Sequence, residues 1–269
     1  MGSPTILDTI VARREHDVRL AKAAVPASEL EALLASAPGV MSFEARLRRE
    51  APMALIAEVK RASPSKGDFA PGLDAVAQAK KYADGRAAGI SVLTEPTWFK
   101  GTLGDMAGIR AAVEALGADR PAILRKDFII DDYQVLEARV HGADSLLLIV
   151  ASLDDAKLCR LIERARSLGM EPLVEVNNAD EMERALASGA RVIGINNRDL
   201  RNFRVDLGTT DRLASKVTGD ILLAALSGIS TPEDVQRFQA AGASAVLVGE
   251  ALMVADDPAA AIRMLVGRP

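Results

Sequence analysis

A (β/α)8 TIM barrel with an N-terminal helical extension is the fold this sequence predicts, and three observations predict it. Short apolar runs alternate with helical patterns from residue 53 to the C-terminus. The joint between them recurs: His141-Gly142-Ala143-Asp144, Ser188-Gly189-Ala190-Arg191 and Ala241-Gly242-Ala243-Ser244 each end a helix on glycine and enter an apolar strand. Glycine just past a helix end takes the left-handed cap that other residues resist. Finally, the first strand is not followed by the Gly-rich turn that marks a doubly wound open sheet, the runner-up architecture. Eight strand–helix units favour closure into a barrel.

Residues 5–22 place apolar side chains at helical spacing, with Thr5 or Asp8 as candidate caps. Pro26 to about Glu50 reads as two shorter helical pieces broken at Pro38-Gly39. Residues 1–50 are therefore an extension and residues 53–269 the barrel, in one domain. The strands fall near 53–58, 89–94, 122–126, 145–150, 172–176, 192–196, 221–226 and 245–248. Short apolar runs bounded by turn residues are the mark of buried parallel strands. Helical patterns lie near 74–84, 103–116, 132–141, 154–168, 179–188, 209–217, 231–241 and 257–266. Ser230-Thr231-Pro232-Glu233 is a typical capped start. Asp84-Gly85-Arg86-Ala87-Ala88-Gly89 places its glycines differently from the other joints, which could shift the entry to the second strand.

Composition narrows the function. A net charge of −4 over 269 residues favours neither nucleic acid nor an anionic membrane. No apolar run approaches the roughly 20 residues of a membrane span. The single cysteine, Cys159, excludes an intrachain disulfide and reads as a packing residue in a reducing, cytoplasmic setting. With only His16 and His141, far apart, metal-ligand spacing is absent. The basic runs Arg13-Arg14, Arg46-Arg48-Arg49 and Lys80-Lys81 read as solvated helix faces.

Active sites of such barrels lie at the C-terminal strand ends. Strand 1 ends in Glu58 and Lys60, which share one face of the strand. Strand 2 ends in Thr94-Glu95, strand 3 in Arg125-Lys126-Asp127-Phe128, strand 5 in Glu175 and strand 6 in Asn196-Asn197-Arg198. Lys60, Lys126, Glu58 and Glu175 thus converge on one mouth. Opposed ammonium and carboxylate groups in a partly dry site tune each other for proton transfer; an ion-pair network closing the barrel top is the alternative. Strands 7 and 8 end in Ser227-Gly228 and Gly249-Glu250. Loops at these two ends often hold a phosphate through backbone N–H groups. Five of nine aromatics, Phe69, Trp98, Phe99, Phe128 and Phe203, fall in loops on this face. They suit an apolar or aryl group, or packing beneath the extension.

Ile56-Ala-Glu-Val-Lys-Arg-Ala-Ser-Pro-Ser-Lys-Gly67, Leu124-Arg-Lys-Asp-Phe128, Leu173-Val-Glu-Val-Asn177, Gly194-Ile-Asn-Asn-Arg-Asp-Leu200 and Leu247-Val-Gly-Glu250 together resemble the indole-3-glycerol phosphate synthase family of tryptophan biosynthesis. The resemblance spans nearly the whole barrel, and the extension is similar too. It implies ring closure of 1-(2-carboxyphenylamino)-1-deoxyribulose 5-phosphate with loss of carbon dioxide and water, using no cofactor and no metal. By position, Lys126 would be the general acid for ring closure. Lys60, Glu58 and Glu175 would share the later dehydration, in a division left open. Asn196 would hold substrate hydroxyl or acid groups. Ser227, Gly228, Gly249 and Glu250 would contact phosphate, Ser63 and Arg198 would be anion contacts, and Phe99 and Phe128 would wall the aryl pocket.

One position departs. Much of the family writes Ala-Glu-Ser-Gly at strand 7, where this chain has Ala225-Leu226-Ser227-Gly228. A branch with leucine here is often one segment of a longer multifunctional chain, which implies other tryptophan-pathway domains as partners. Two rivals remain at this level. One is a phosphosugar isomerase or Schiff-base aldolase with Lys126 as nucleophile. The other is an inert scaffold segment.

Overall fold

The eight apolar runs close into one parallel barrel. The computed structural model describes residues 4–65, 67–68 and 70–268. Its strands are β1 Ala54–Val59, β2 Gly89–Leu93, β3 Ala122–Lys126, β4 Ser145–Ile149, β5 Leu173–Val176, β6 Val192–Asn196, β7 Leu222–Leu226 and β8 Ala245–Val248. Each lies parallel to its two sequence neighbours, and β8 pairs with β1 to close the ring. The extension supplies α1 Ile6–Ala24, α2 Ala27–Leu33 and α3 Phe43–Arg48. The outer ring is α4 Ala75–Asp84, α5 Leu103–Val113, α6 Asp132–Val140, α7 Asp155–Ser167, α8 Ala179–Ala187, α9 Gly208–Ala214, α10 Pro232–Ala240, the one-turn α11 Glu250–Met253, and α12 Pro258–Leu265.

The period of two along each strand sorts the core into two layers. One set, Leu55, Ile90, Ile123, Leu146, Val174, Ile193, Leu223 and Val246, faces the helices. Alternate residues, Ile56, Leu124, Leu147, Leu173, Val192, Leu222 and Leu247, fill the barrel. The same parity carries Glu58, Lys126, Glu175, Asn196 and Leu226 to the inside at the C-terminal end.

The extension packs at both ends of the barrel. Phe43 and Leu47 of α3 join the inner layer from the N-terminal strand ends. Arg46, Arg48 and Arg49 anchor them by donating to the carbonyls of Arg120, Asp220 and Ala118. Leu7 and Ile10 of α1 join the same layer from the mouth. The solvated-face reading of the arginine runs is therefore corrected at two positions. Arg14 and Arg46 are buried, because each has a carboxylate or carbonyl inside to receive it. Arg14 pairs with Asp127 at 3.0 Å and with Asp17.

Local signals hold at the joints. Thr5 caps α1 in a reciprocal box with Asp8, and Thr231 caps α10 in one with Asp234. Gly142, Gly189 and Gly242 take positive φ. At the odd joint, Arg86 takes that left-handed position with φ 62°, and β2 still begins at Gly89. Glycine stands one residue earlier for another reason: a Cβ on Gly85 would lie 2.9 Å from the Ala259 backbone of α12. Among the described residues, a ribbon pairing Ala62–Ser63 with Gly67–Asp68 and the helix α11 directly after β8 lie outside the strand–helix alternation, as do short 3-10 turns at Glu114–Asp119 and Val150–Ser152. The aromatic at Phe69, like Lys66, lies outside the described residues.

Candidate active site

Glu58 is the centre of the mouth. It ends the inward face of β1 and is 4% exposed, a position that a lone carboxylate could not hold. Two ammonium groups make it tenable: Lys60 Nζ at 2.7 Å from Oε1 and Lys126 Nζ at 3.3 Å from Oε2. Burial pushes the carboxyl up, but the two lysines outweigh it and hold it at about 2. The space it occupies is cut into β8. A Cβ on Gly249 would lie 2.6 Å from Glu58 Oε1, so the residue between the last strand and α11 must be glycine for Glu58 to sit there.

Lys126 ends the inward face of β3. Burial favours its neutral form, yet the charges of Glu58 and Glu175 prevail and raise its pKa above the ordinary lysine value. Glu175 on β5 shows the opposite balance. Burial raises its carboxyl, and Lys126 and the Asn196 amide offset that only in part. Asn196 Nδ2 donates to Glu175 Oε1 at 2.9 Å, and Asn196 Oδ1 accepts from Arg198 N at 2.9 Å. The result is one run across four strand ends, Lys60, Glu58, Lys126, Glu175, Asn196, joined by direct contacts except between Lys126 and Glu175, which act on each other through charge. Two carboxyls on it are pushed in opposite directions, Glu58 down by its two lysines and Glu175 up by burial. Among the described residues, no group of three or more His, Cys, Asp or Glu could hold a metal ion.

The structure also brings the two candidate aromatics together. Phe99 and Phe128 face each other with ring centroids 6.1 Å apart and planes inclined at 40°. Both pack on the inner layer beside Leu7 and Ile10. Sequence reasoning left Glu95 without a role, and the structure supplies one. Its buried carboxylate accepts the backbone N–H groups of Thr97, Trp98 and Phe99 at 2.7–3.0 Å, which shapes the loop presenting the ring. Asp127 was likewise passed over. It binds Thr94, Arg125 and Arg14, tying the strand that bears Lys126 to α1. A charged residue immediately beside a catalytic candidate at a strand end was the available signal.

At the far side of the mouth, Ser227 and Gly228 both take positive φ, 66° and 79°. Asn197 steadies this turn, its Nδ2 donating to the Ser227 carbonyl at 3.2 Å and its N–H to the Leu226 carbonyl at 2.9 Å. A Cβ on Gly228 would meet Leu207 at 2.7 Å and Val205 at 2.8 Å. Glu250 is exposed at the first turn of α11, whose leading N–H groups have no partner within the helix. Arg198 borders the cluster closely enough for its charge to bear on Lys126. Ser63 stands apart on the ribbon, its hydroxyl 3.4 Å from Ser65 Oγ. Its neighbour Arg61 anchors the segment by pairing with both oxygens of Asp105. Leu226 points into the barrel, 2% exposed, over Gly194, where a Cβ would come within 2.7 Å of its Cδ1.

A closed parallel barrel with a charged, partly buried cluster at its C-terminal strand ends is the arrangement on which (β/α)8-barrel active sites are built. Solved structures agree on the fold. 3-Hexulose-6-phosphate synthase superposes with a TM-score of 0.62 at 20% identity, covering 79% of this chain and 98% of that one. Sequence comparison is more specific. The family model described as indole-3-glycerol phosphate synthase matches residues 7–265. An indole-3-glycerol phosphate synthase of Roseiflexus sp. is 47% identical over 98% of both chains. The multifunctional tryptophan biosynthesis proteins of Phanerodontia chrysosporium and Schizosaccharomyces pombe are 55% and 59% identical over 99% and 85% of this chain. This chain spans only 34% and 30% of their length. The chain belongs to the indole-3-glycerol phosphate synthase family.

Proposed function

We propose that the chain closes the pyrrole ring of 1-(2-carboxyphenylamino)-1-deoxyribulose 5-phosphate, releasing carbon dioxide and water. The observation that carries this reading is the run Lys60–Glu58–Lys126–Glu175–Asn196 at one mouth, with an aromatic pair on one side and a glycine-lined turn on the other. Lys126 is the general acid: its ammonium protonates the substrate carbonyl oxygen as the aryl carbon attacks. Loss of carbon dioxide then restores the ring, and no protein base is needed for that step. Dehydration needs a proton delivered to the departing hydroxyl and one removed from the ring carbon. Lys60 is the donor nearest a fixed anion. Glu175, the carboxyl whose pKa is raised, exchanges the proton, while Glu58 stays ionised between the two lysines. Asn196 orients Glu175 and the substrate hydroxyls. Ser227, Gly228, Gly249 and Glu250 receive the phosphate, mainly through backbone N–H groups, with Ser63 and Arg198 as further anion contacts. Phe99 and Phe128 hold the aryl ring.

The raised pKa of Lys126 argues against the aldolase reading. A Schiff-base lysine must lose its proton to attack, and Glu58 and Glu175 hold this one as ammonium. Leu226 is compatible with activity. It sits in the inner apolar layer and leaves the five-residue run intact. The identity to multifunctional tryptophan biosynthesis proteins further supports a place beside other tryptophan-pathway domains; the cytoplasmic location rests on the single-cysteine composition. Residues 1–50 and 53–269 are one domain in this reading, because Phe43 and Leu47 complete the barrel's inner layer. Appearance of indoleglycerol fluorescence from the purified chain and this substrate, without added metal or cofactor, tests the proposal. A folded chain that binds substrate and makes no product would return it to the scaffold reading. A borohydride-trapped adduct would return it to the aldolase one.

A further inference from the structure

We propose that Glu181, in the first turn of α8, is a positioning residue for the reaction: through Asn177 it holds Glu175 and Asn196 in place at the mouth. The inference rests on the reading of Glu175 as the group that exchanges a proton in the dehydration.

Four side chains form one circuit. Asn177 directly follows β5, two residues beyond Glu175. Its Nδ2 donates to the Asn196 carbonyl on β6 at 2.8 Å. Asn196 Nδ2 returns to Glu175 Oε1 at 2.9 Å. The ends of β5 and β6 are thus tied together twice, once by each asparagine. Asn177 is itself held from α8, because its backbone N–H donates to Glu181 Oε2 at 2.8 Å.

Helix capping alone does not account for Glu181. Asn178 caps α8, and its Oδ1 accepts the N–H of Glu181 at 3.0 Å. In a capping box the carboxylate at this position reaches back to the N–H of the cap. Asp8 does so to Thr5, and Asp234 to Thr231. Glu181 instead takes the N–H one residue earlier, on Asn177, and its other oxygen accepts from Asn178 Nδ2 at 2.6 Å. The carboxylate is therefore spent on the strand end. Glu181 is 6% exposed, and a carboxylate is buried only where partners hold it. Its ion pair with Arg201 is long, at 3.7 Å, and the Arg201 side chain is mostly exposed, so that pair holds it weakly.

The same carboxylate acts on Glu175 through space. Both residues line one cavity of about 20 Å³, together with Leu7, Ile149 and Leu200. That is room for about one water, so little solvent screens one carboxylate from the other. The charge of Glu181 adds to burial in raising the Glu175 carboxyl, against Lys126 and Asn196. The charged groups around Glu175 are Glu58 of β1, Lys126 of β3, Glu181 of α8, and Asp199 and Arg201 of the loop after β6.

Kinetics and NMR on the whole chain separate positioning from capping. Asn177→Ala and Glu181→Ala should each lower kcat by about tenfold, with KM within a few-fold. The double substitution should cost no more than either alone, because the two residues act as one link. Glu181→Gln keeps an acceptor for the Asn177 N–H and should hold kcat within about threefold of the parent. It also removes the charge, so the Glu175 carboxyl should titrate lower by about half a pH unit. NMR of glutamate labelled at the carboxyl carbon reads that shift, with Glu175→Gln assigning the signal. A mere helix cap gives a lower Tm, parent kcat in all three single variants and an unmoved Glu175 titration, and that result would overturn the proposal. Additive losses in the double variant would overturn the route through Asn177. With Glu175→Gln inactive, these failures sink the positioning role alone. A Glu175→Gln chain that turns over like the parent sinks the reading of Glu175 beneath it.

Discussion

Lys126, Glu58 and Leu226 carry the testable chemistry at the scale of single residues. If Lys126 delivers the proton in ring closure, Lys126→Ala lowers kcat by about 10² or more and leaves KM within a few-fold; steady-state kinetics with near-normal turnover would remove it from that role. Glu58 makes a prediction about stability. Its folded pKa of about 2 lies below the ordinary value near 4.5. A depressed carboxyl contributes stability that is present above pH 4.5 and is lost as pH falls toward 2. The contribution is roughly 3 kcal/mol. Urea unfolding between pH 6 and pH 2 should therefore be flatter for Glu58→Gln than for the parent chain, and parallel curves would contradict the assignment. Leu226 is buried among apolar neighbours over Gly194. Leu226→Glu should cost about 2 kcal/mol or more in stability, with no tenfold gain in kcat. A gain of that size would show the leucine to be a defect.

At the scale of elements, the loop after β2 shows how a strand end presents an aromatic wall. Glu95 gathers three consecutive N–H groups onto one carboxylate, and Phe99 follows from that geometry. Glu95→Ala strands those donors and loosens the ring that faces Phe128. The expected outcome is a KM raised by roughly fivefold to tenfold with kcat changed far less; a pure kcat effect would place Glu95 in the chemistry instead. The same scale explains where expectation and structure part. Helix and strand positions followed from apolar period and glycine joints, which are local. Arg14 and Arg46 read as surface charges because their partners, Asp127 and the Arg120 carbonyl, lie far along the chain.

For the molecule as a whole, the extension is part of the barrel's packing at both ends. Phe43 is fully buried at the end opposite the mouth. Phe43→Ala should cost about 3–5 kcal/mol and lower Tm by roughly 10 °C. Turnover per folded molecule should stay near the parent value, since α3 is anchored at the N-terminal strand ends, away from the mouth. Calorimetry and kinetics on the same preparation separate the two effects, and equal losses in both would mean that the two ends are coupled.

What this sequence determined by itself is the architecture and the cast at the mouth. Both rest on periodicity: an apolar run every unit specifies strands, and a spacing of two brings Glu58 and Lys60 to one face. The charged strand ends then converge by the topology of any closed parallel barrel. Only the tertiary structure decided the protonation pattern and the supporting shell. Whether a buried carboxyl is held at about 2 or pushed up depends on how far burial is offset: Glu58 has Lys60 two residues on and Lys126 from β3 beside it, and Glu175 has Lys126 without a second lysine. Gly249 making room for Glu58 and Gly85 making room for α12 are equally three-dimensional. Coulomb forces and steric exclusion also act through space between residues distant in the chain, such as Glu58 with Lys126 and with Gly249, and local sequence carries no trace of those pairs.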